Sequence, residues 1–117
     1  MPPTNIRTNW KRDVPILVRA MVLADKTLFL AGPADILDER QTQKTLDTPE
    51  TQKRLAKQAS LIEGSDGAIL WAVSTLGKKL NEQKLDGLPV FDGMIAANNR
   101  LYYATTDGRV ICLGDEK

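Results

Sequence analysis

DGMIAANNRLYYATTDGRVICLG, residues 92–114, is the stretch whose reading decides the fold. It holds three short apolar runs, separated first by Asn98-Asn99 and then by Asp107-Gly108. Asn tolerates the positive φ that tight hairpin turns demand, and Asp-Gly before an apolar run is a strong short-range hairpin signal. Three strands in an antiparallel meander follow from the punctuation alone.

The remainder of the chain echoes this stretch. Met21–Ala31, MVLADKTLFLA, aligns with Met94–Ala104, MIAANNRLYYA, at a constant spacing of 73, with Asp25-Lys26 standing where Asn98-Asn99 stands. Ser65-Asp66-Gly67 opens SDGAILWAV as Thr106-Asp107-Gly108 opens TDGRVICLG, at a spacing of 41. The two spacings differ by 73 − 41 = 32 residues, so the first copy carries an insertion of that length. On this alignment Cys112 falls over Trp71, a core-strand position, and is expected to be a buried, inert thiol. Asp66 and Asp107 sit at equivalent turns, where their expected job is backbone geometry. The expected organisation is a single domain over 1–117 built from two units, about 10–31 plus 65–77 and 78–114, with a helical insertion at about 32–64.

The insertion carries its own signals. Thr48-Pro49-Glu50 places an N-cap, a first-position Pro and an acid at the positive end of the dipole. Leu55, Ala59 and Ile62 recur at helical spacing, and Gly64 is placed to stop the run. The pattern predicts a helix over about 49–63 lying across a sheet. Residues 33–47 read as irregular, with a short helical turn near Ala34–Asp38. Residues 5–12 read as a polar edge strand anchored by Trp10. Lys78–Leu85, KKLNEQKL, is polar at nearly every position and suits an exposed edge, where Lys discourages sheet-to-sheet association. The strands Ile69–Val73 and Leu101–Ala104 are apolar on both faces and therefore expected to be buried on both. The fold class is mainly β: two antiparallel, blade-like sheets with one inserted α-helix.

Composition narrows the chemistry. The 117 residues are 42% hydrophobic and 26% charged with a net charge of +1, which supplies no global field for nucleic acid or an anionic membrane. No segment approaches the ~20 apolar residues of a membrane-spanning helix. There is no His and a single Cys, so neither a common zinc site nor a Ser–His or Cys–His nucleophile can be assembled. Asp35, Asp38 and Glu39 cluster in PADILDER, which lacks the ligand spacing and turn Gly of a calcium loop and reads as a solvated acidic segment. No cofactor is expected.

RLYYATTDGRVICLG resembles the repeat of quinoprotein-like (PQQ-like) β-propellers, carried by Leu101-Tyr102, Thr105, Asp107-Gly108 and Val110. Leu70-Trp71-Ala72-Val73 followed by Gly77-Lys78 is similar to the passage between blades in that family. The resemblance covers about residues 15–32 and 65–114, and a spacing near 41 suits a four-stranded blade. It implies the C-terminal two-blade portion of a longer protein, periplasmic or extracytoplasmic. It also implies, for a complete propeller, a quinone, a bound ion and a catalytic Asp, with an adjacent cysteine pair in alcohol-oxidising members. Two blades do not close a ring. The expected function is therefore a non-catalytic interaction or scaffold module. The alternatives are small-ligand binding, carbohydrate for example, or part of a composite quinone-dependent oxidoreductase site. Its partner is expected to be the rest of the parent chain or another protein, with a homodimer through exposed sheet edges as a variant, and neither nucleic acid nor a membrane. Alternation assigns most aromatics to packing, leaving Trp10 and Phe91 as candidate contact residues.

Overall fold

Asn98 and Asn99 both take positive φ, 54° and 63°, which is the backbone that lets a two-residue turn follow the strand twist. In the computed structural model, which describes residues 6–37, 44 and 46–114, this turn joins β5 (Pro89–Ala97) to β6 (Arg100–Thr105), and Thr105–Arg109 leads into β7 (Val110–Leu113). Earlier in the chain, β1 (Ala20–Ala24) and β2 (Thr27–Gly32) form the matching hairpin. β3 (Ala68–Ser74) and β4 (Lys79–Leu85) complete that sheet. The protein is thus mainly β, with two antiparallel sheets, β1-β2-β3-β4 and β5-β6-β7, and one helix, α1 (Pro49–Ile62).

β4 pairs with β3, so the first sheet ends at Leu85 and the second begins at Pro89, not at Lys78 as the sequence division placed it. Five of the seven β4 residues are exposed, in keeping with an edge strand.

The two sheets stack through one apolar core. Ala20, Ala31, Ala68, Leu70 and Leu85 of the first meet Met94, Leu101 and Tyr103 of the second, with Val22, Phe29, Ala96, Ile111 and Leu113 at the margin. The other face of the first sheet holds Leu30, Trp71 and Val73, covered by Ile16 and Val14 from the N-terminal segment. That segment runs antiparallel beyond β2: Leu17 N–H donates to Pro33 O at 2.9 Å and Arg19 N–H to Ala31 O at 2.8 Å. Gly32 permits it, because a Cβ there would lie 1.9 Å from Leu17 O. Residues 6–14 form no strand, contrary to the edge strand expected over 5–12.

The register corrects the repeat. Ala72 pairs with Phe29 as Cys112 pairs with Tyr102, and Trp71 pairs with Leu30 as Ile111 pairs with Tyr103. Since Phe29 and Leu30 stand 73 residues before Tyr102 and Tyr103, the true counterpart of Trp71 is Ile111, and Cys112 matches Ala72, an offset of 40 rather than 41. β3 starts directly after Gly67, whereas Arg109 intervenes between Gly108 and β7. The first Asp-Gly pair follows a helix; only the second closes a hairpin. A one-residue slip moves every side chain to the opposite face, and Cys112 is accordingly exposed instead of buried.

α1 begins as its signals indicate, with the Thr48 side chain accepting from Thr51 N–H at 3.2 Å, and Gly64 follows at φ 98°. Its buried residues are Thr51, Gln58 and Leu61, while Ile62 is 40% exposed, so the buried face is rotated from the Leu55/Ala59/Ile62 stripe. Gln58 explains the rotation. Its Nε2 donates to Ala34 O at 2.8 Å and its Oε1 accepts from Ile36 N–H at 2.7 Å. These two bonds satisfy an irregular backbone that no strand can serve. The helical turn expected near Ala34–Asp38 is absent through Leu37, and Asp38 with Glu39 lies outside the described residues.

Candidate functional site

Trp10 and Phe91 occupy different environments. Trp10 is 40% exposed, its Nε1 donates to Thr75 O at 2.9 Å, and its ring lies over Gly77 in the β3–β4 turn. Arg12 follows, with its guanidinium 5.5 Å from the Trp71 ring, and Lys79 lies 4.3 Å from the same ring. Trp71 is buried, and its indole N–H makes no hydrogen bond of normal geometry. Its cross-strand neighbour Glu82 is its electrostatic partner. The Glu82 carboxyl is held below its usual range chiefly by the Lys79 hydrogen bond and charge. Residues 10–16 thus form a strap across the outer face of the first sheet.

Phe91 is 72% exposed. It sits in a wide bulge of β5, where pairing with β6 skips from Pro89 to Met94 and Asp92 takes φ 55°. Arg19 lies 4.8 Å from the Phe91 ring centroid, within cation–π range. Arg19 also donates to Ile62 O at 2.8 Å, and its carbonyl accepts from Asp92 N–H at 3.0 Å. It therefore ties the end of α1 and the bulge to the segment that leads into β1.

The outer face of the second sheet was not singled out in the sequence. Ile95, Tyr102 and Cys112 lie in one cross-strand row, with Ala104 and Val110 beside them. Ile95 is 62% and Val110 75% exposed. By the 73- and 40-residue offsets these are the counterparts of Val22, Phe29, Ala72, Ala31 and Leu70. Those five line the face of the first sheet that packs on the second. The stacking is therefore directional: the inner face of sheet one contacts the back of sheet two, and the equivalent face of sheet two is uncovered among the described residues. The signal in the sequence was apolarity on both faces of each strand, which reports the tendency to be covered but not the cover itself.

Two concavities lie at the sheet margins. A cleft of about 690 Å³ opens at the hairpin end, between Phe29, Leu70, Ala72, Asn81 and Gln83 of the first sheet and Leu101, Leu113 and Asn98–Arg100 of the second. The second, shallow and charged, is bordered by Asp66, Lys84, Asp86, Asp107 and Arg109. Lys84 meets Asp66 at 2.9 Å, and Arg109 bridges Asp107 at 3.0 Å and Asp86 at 3.1 Å. Asp107 is pulled below the ordinary carboxyl range by the Thr105 hydroxyl first and then by Arg109; Asp66 is lowered by Lys84. Both aspartates thus accept specific side-chain donors besides sitting at turns. Tyr103 lies behind this cluster, its hydroxyl donating to Asp86 O at 3.0 Å, and burial raises its pKa. Among the described residues, no group of three or more His, Cys, Asp and Glu side chains could hold a metal ion.

Compared with protein-family models, curated proteins and solved structures, the chain matches none. Among the described residues, no helix is long and apolar enough to cross a membrane.

Proposed function

We propose that this chain is a non-catalytic β-repeat module, a scaffold piece of a larger propeller of the quinoprotein-like kind, acting by presenting a sheet face for a further sheet to cover. One observation carries the reading. The Ile95/Tyr102/Val110/Cys112 face is the repeat counterpart of a face already buried against a neighbouring sheet. Exposed contiguous apolar surface of this kind marks interaction sites.

The test is a double substitution, Ile95→Lys with Tyr102→Glu, which replaces a cross-strand apolar pair by an opposite-charge pair. The wild-type chain is expected to bind a hydrophobic dye and to self-associate with concentration in sedimentation velocity. The variant is expected to lose both while keeping its circular dichroism. A wild-type chain that is strictly monomeric and dye-silent would overturn the proposal. Saturable binding of a pyrroloquinoline quinone with calcium would replace it by the composite-oxidoreductase reading. A small-ligand reading, carbohydrate for example, draws on the amides Asn81, Gln83, Asn98 and Asn99 around the cleft, but that cleft is open along one side. Ligand pockets enclose most of their occupant.

A further inference from the structure

The two repeat units have unequal strand numbers. In the first sheet β3 is followed by β4, paired along it from Ala68–Leu85 to Val73–Lys79. In the second, β7 is the counterpart of β3 and, among the described residues, pairs only with β6. The place beside β7 is not open solvent on both sides. Because the sheets stack, it lies over the inner face of β3 and β4, where Leu70, Ala72, Asn81 and Gln83 line the cleft opposite Leu113 and Gly114.

The two terminal strands also differ in their protection. β4 carries Lys79, Glu82 and Lys84, the charges that natural edge strands use against unwanted pairing. β7 reads Val-Ile-Cys-Leu and has neither a charge nor a Pro. It is a bare edge beside a formed floor.

We propose that the β7 edge and this floor form a strand-accepting site. It takes an extended segment of a partner polypeptide, antiparallel to β7, with alternate side chains laid on the exposed amides Asn81 and Gln83 at the margin of the buried Leu70 and Ala72. Main-chain hydrogen bonds supply the attachment and alternate side chains the selectivity, as in other strand-addition complexes. The floor fixes the chemistry of the guest. Two apolar and two amide positions call for a strand alternating small apolar or amide residues inward with solvated residues outward. The chain contains such a segment in the equivalent place of its first sheet: β4, with Asn81, Gln83 and Leu85 inward and charged neighbours outward. The inference goes beyond the scaffold reading and does not depend on what covers the outer face of sheet two.

A synthetic peptide of residues 77–87, GKKLNEQKLDG, is the probe, titrated into the isotopically labelled chain and followed by NMR. Saturable shifts are expected at the Val110–Leu113 backbone amides and the Asn81 and Gln83 side-chain amides. The β7 amides facing the peptide are expected to exchange about tenfold more slowly or better, a factor equivalent to ~1.4 kcal/mol. Methylating the peptide's backbone nitrogens on one edge should weaken binding by at least about tenfold, while methylation on the other edge should not. The Ile95→Lys/Tyr102→Glu variant should bind the peptide as the wild type does, which separates this site from the outer face. The proposal falls if no saturable shift appears or if both methylated peptides bind equally. It falls equally if the shifts map to Ala68–Ser74, as they would were the peptide displacing β4.

Discussion

Gly77→Ala tests whether the N-terminal strap is held by Trp10. Gly77 has φ 86°, and a Cβ there would lie 2.8 Å from Trp10 Cδ2 and 2.9 Å from its Cε3. Two costs add. The left-handed backbone with a Cβ costs ~1–2 kcal/mol. Displacing the indole forfeits its burial: a Trp buries ~150–250 Å² at most, so a ring 40% exposed gives up ~2–4 kcal/mol at ~25 cal/mol per Å². Backbone entropy regained at Trp10 alone, ~1–2 kcal/mol with the rest of the strap still held by Val14 and Ile16, offsets part of that, leaving ~2 kcal/mol for the contact. Gly108→Ala is the control, because φ is 88° there and nothing lies within 4 Å of the added Cβ. It should carry only the backbone cost. The two variants are therefore expected to differ by ~2 kcal/mol, or roughly 8 °C in Tm for a chain of this size. Gly77→Ala should also red-shift the tryptophan emission as Trp10 enters water, whereas Gly108→Ala should leave the spectrum unchanged. Equal melting temperatures with identical spectra would refute the docking of the strap on the β3–β4 turn.

Cys112 should react stoichiometrically with a thiol reagent in the native protein, without denaturant, at a rate near that of a free thiol; slow, denaturant-dependent labelling would return it to the core. Acid should destabilise the fold. Asp66, Glu82 and Asp107 have folded pKa values below their unfolded ones, so the unfolded chain binds more protons in that window. Their contribution is present above about pH 4 and is lost as the pH falls through the depressed values. Denaturant midpoints from pH 7 to 2.5 should show this, with a shallower decline for Asp107→Asn. Gln58→Ala should cost ~1–3 kcal/mol by orphaning Ala34 O and Ile36 N–H, read as faster hydrogen exchange at Ile36.

Much of the architecture is legible because its signals are local. Asp25-Lys26, Asn98-Asn99 and Asp107-Gly108 each punctuate a hairpin, and Thr48-Pro49 with Gly64 brackets α1 to within a residue. The face assignments are less legible because they depend on partners distant in sequence. Aligning Asp66-Gly67 with Asp107-Gly108 matches residues with different neighbours, a helix end in one case and a hairpin in the other, and that slip buried Cys112 on paper. The stripe Leu55/Ala59/Ile62 follows hydrophobicity, yet Gln58 is buried by two hydrogen bonds to a loop that periodicity does not register. Trp10 and Phe91 stand out in the sequence for want of a packing role. Trp10 has one in Thr75 and Gly77, and Phe91 has the Arg19 guanidinium over its ring. The face of sheet two left uncovered among the described residues emerges only from the pairing register, since its residues are chemically like those buried in sheet one.

A stack made inner face to back face has a direction, and directional contacts do not terminate themselves. A two-fold pair exhausts its surfaces; a head-to-tail pair leaves one of each kind and grows until it closes on itself or is stopped. In this protein the two ends are unequal. The Trp10–Ile16 strap lies over the outer face of the first sheet as a stopper, with Ile16 and Val14 filling the place of a preceding sheet. Any array built on this chain would have a sealed beginning and an extendable end. Loosening the strap would convert a capped unit into one that polymerises from both sides.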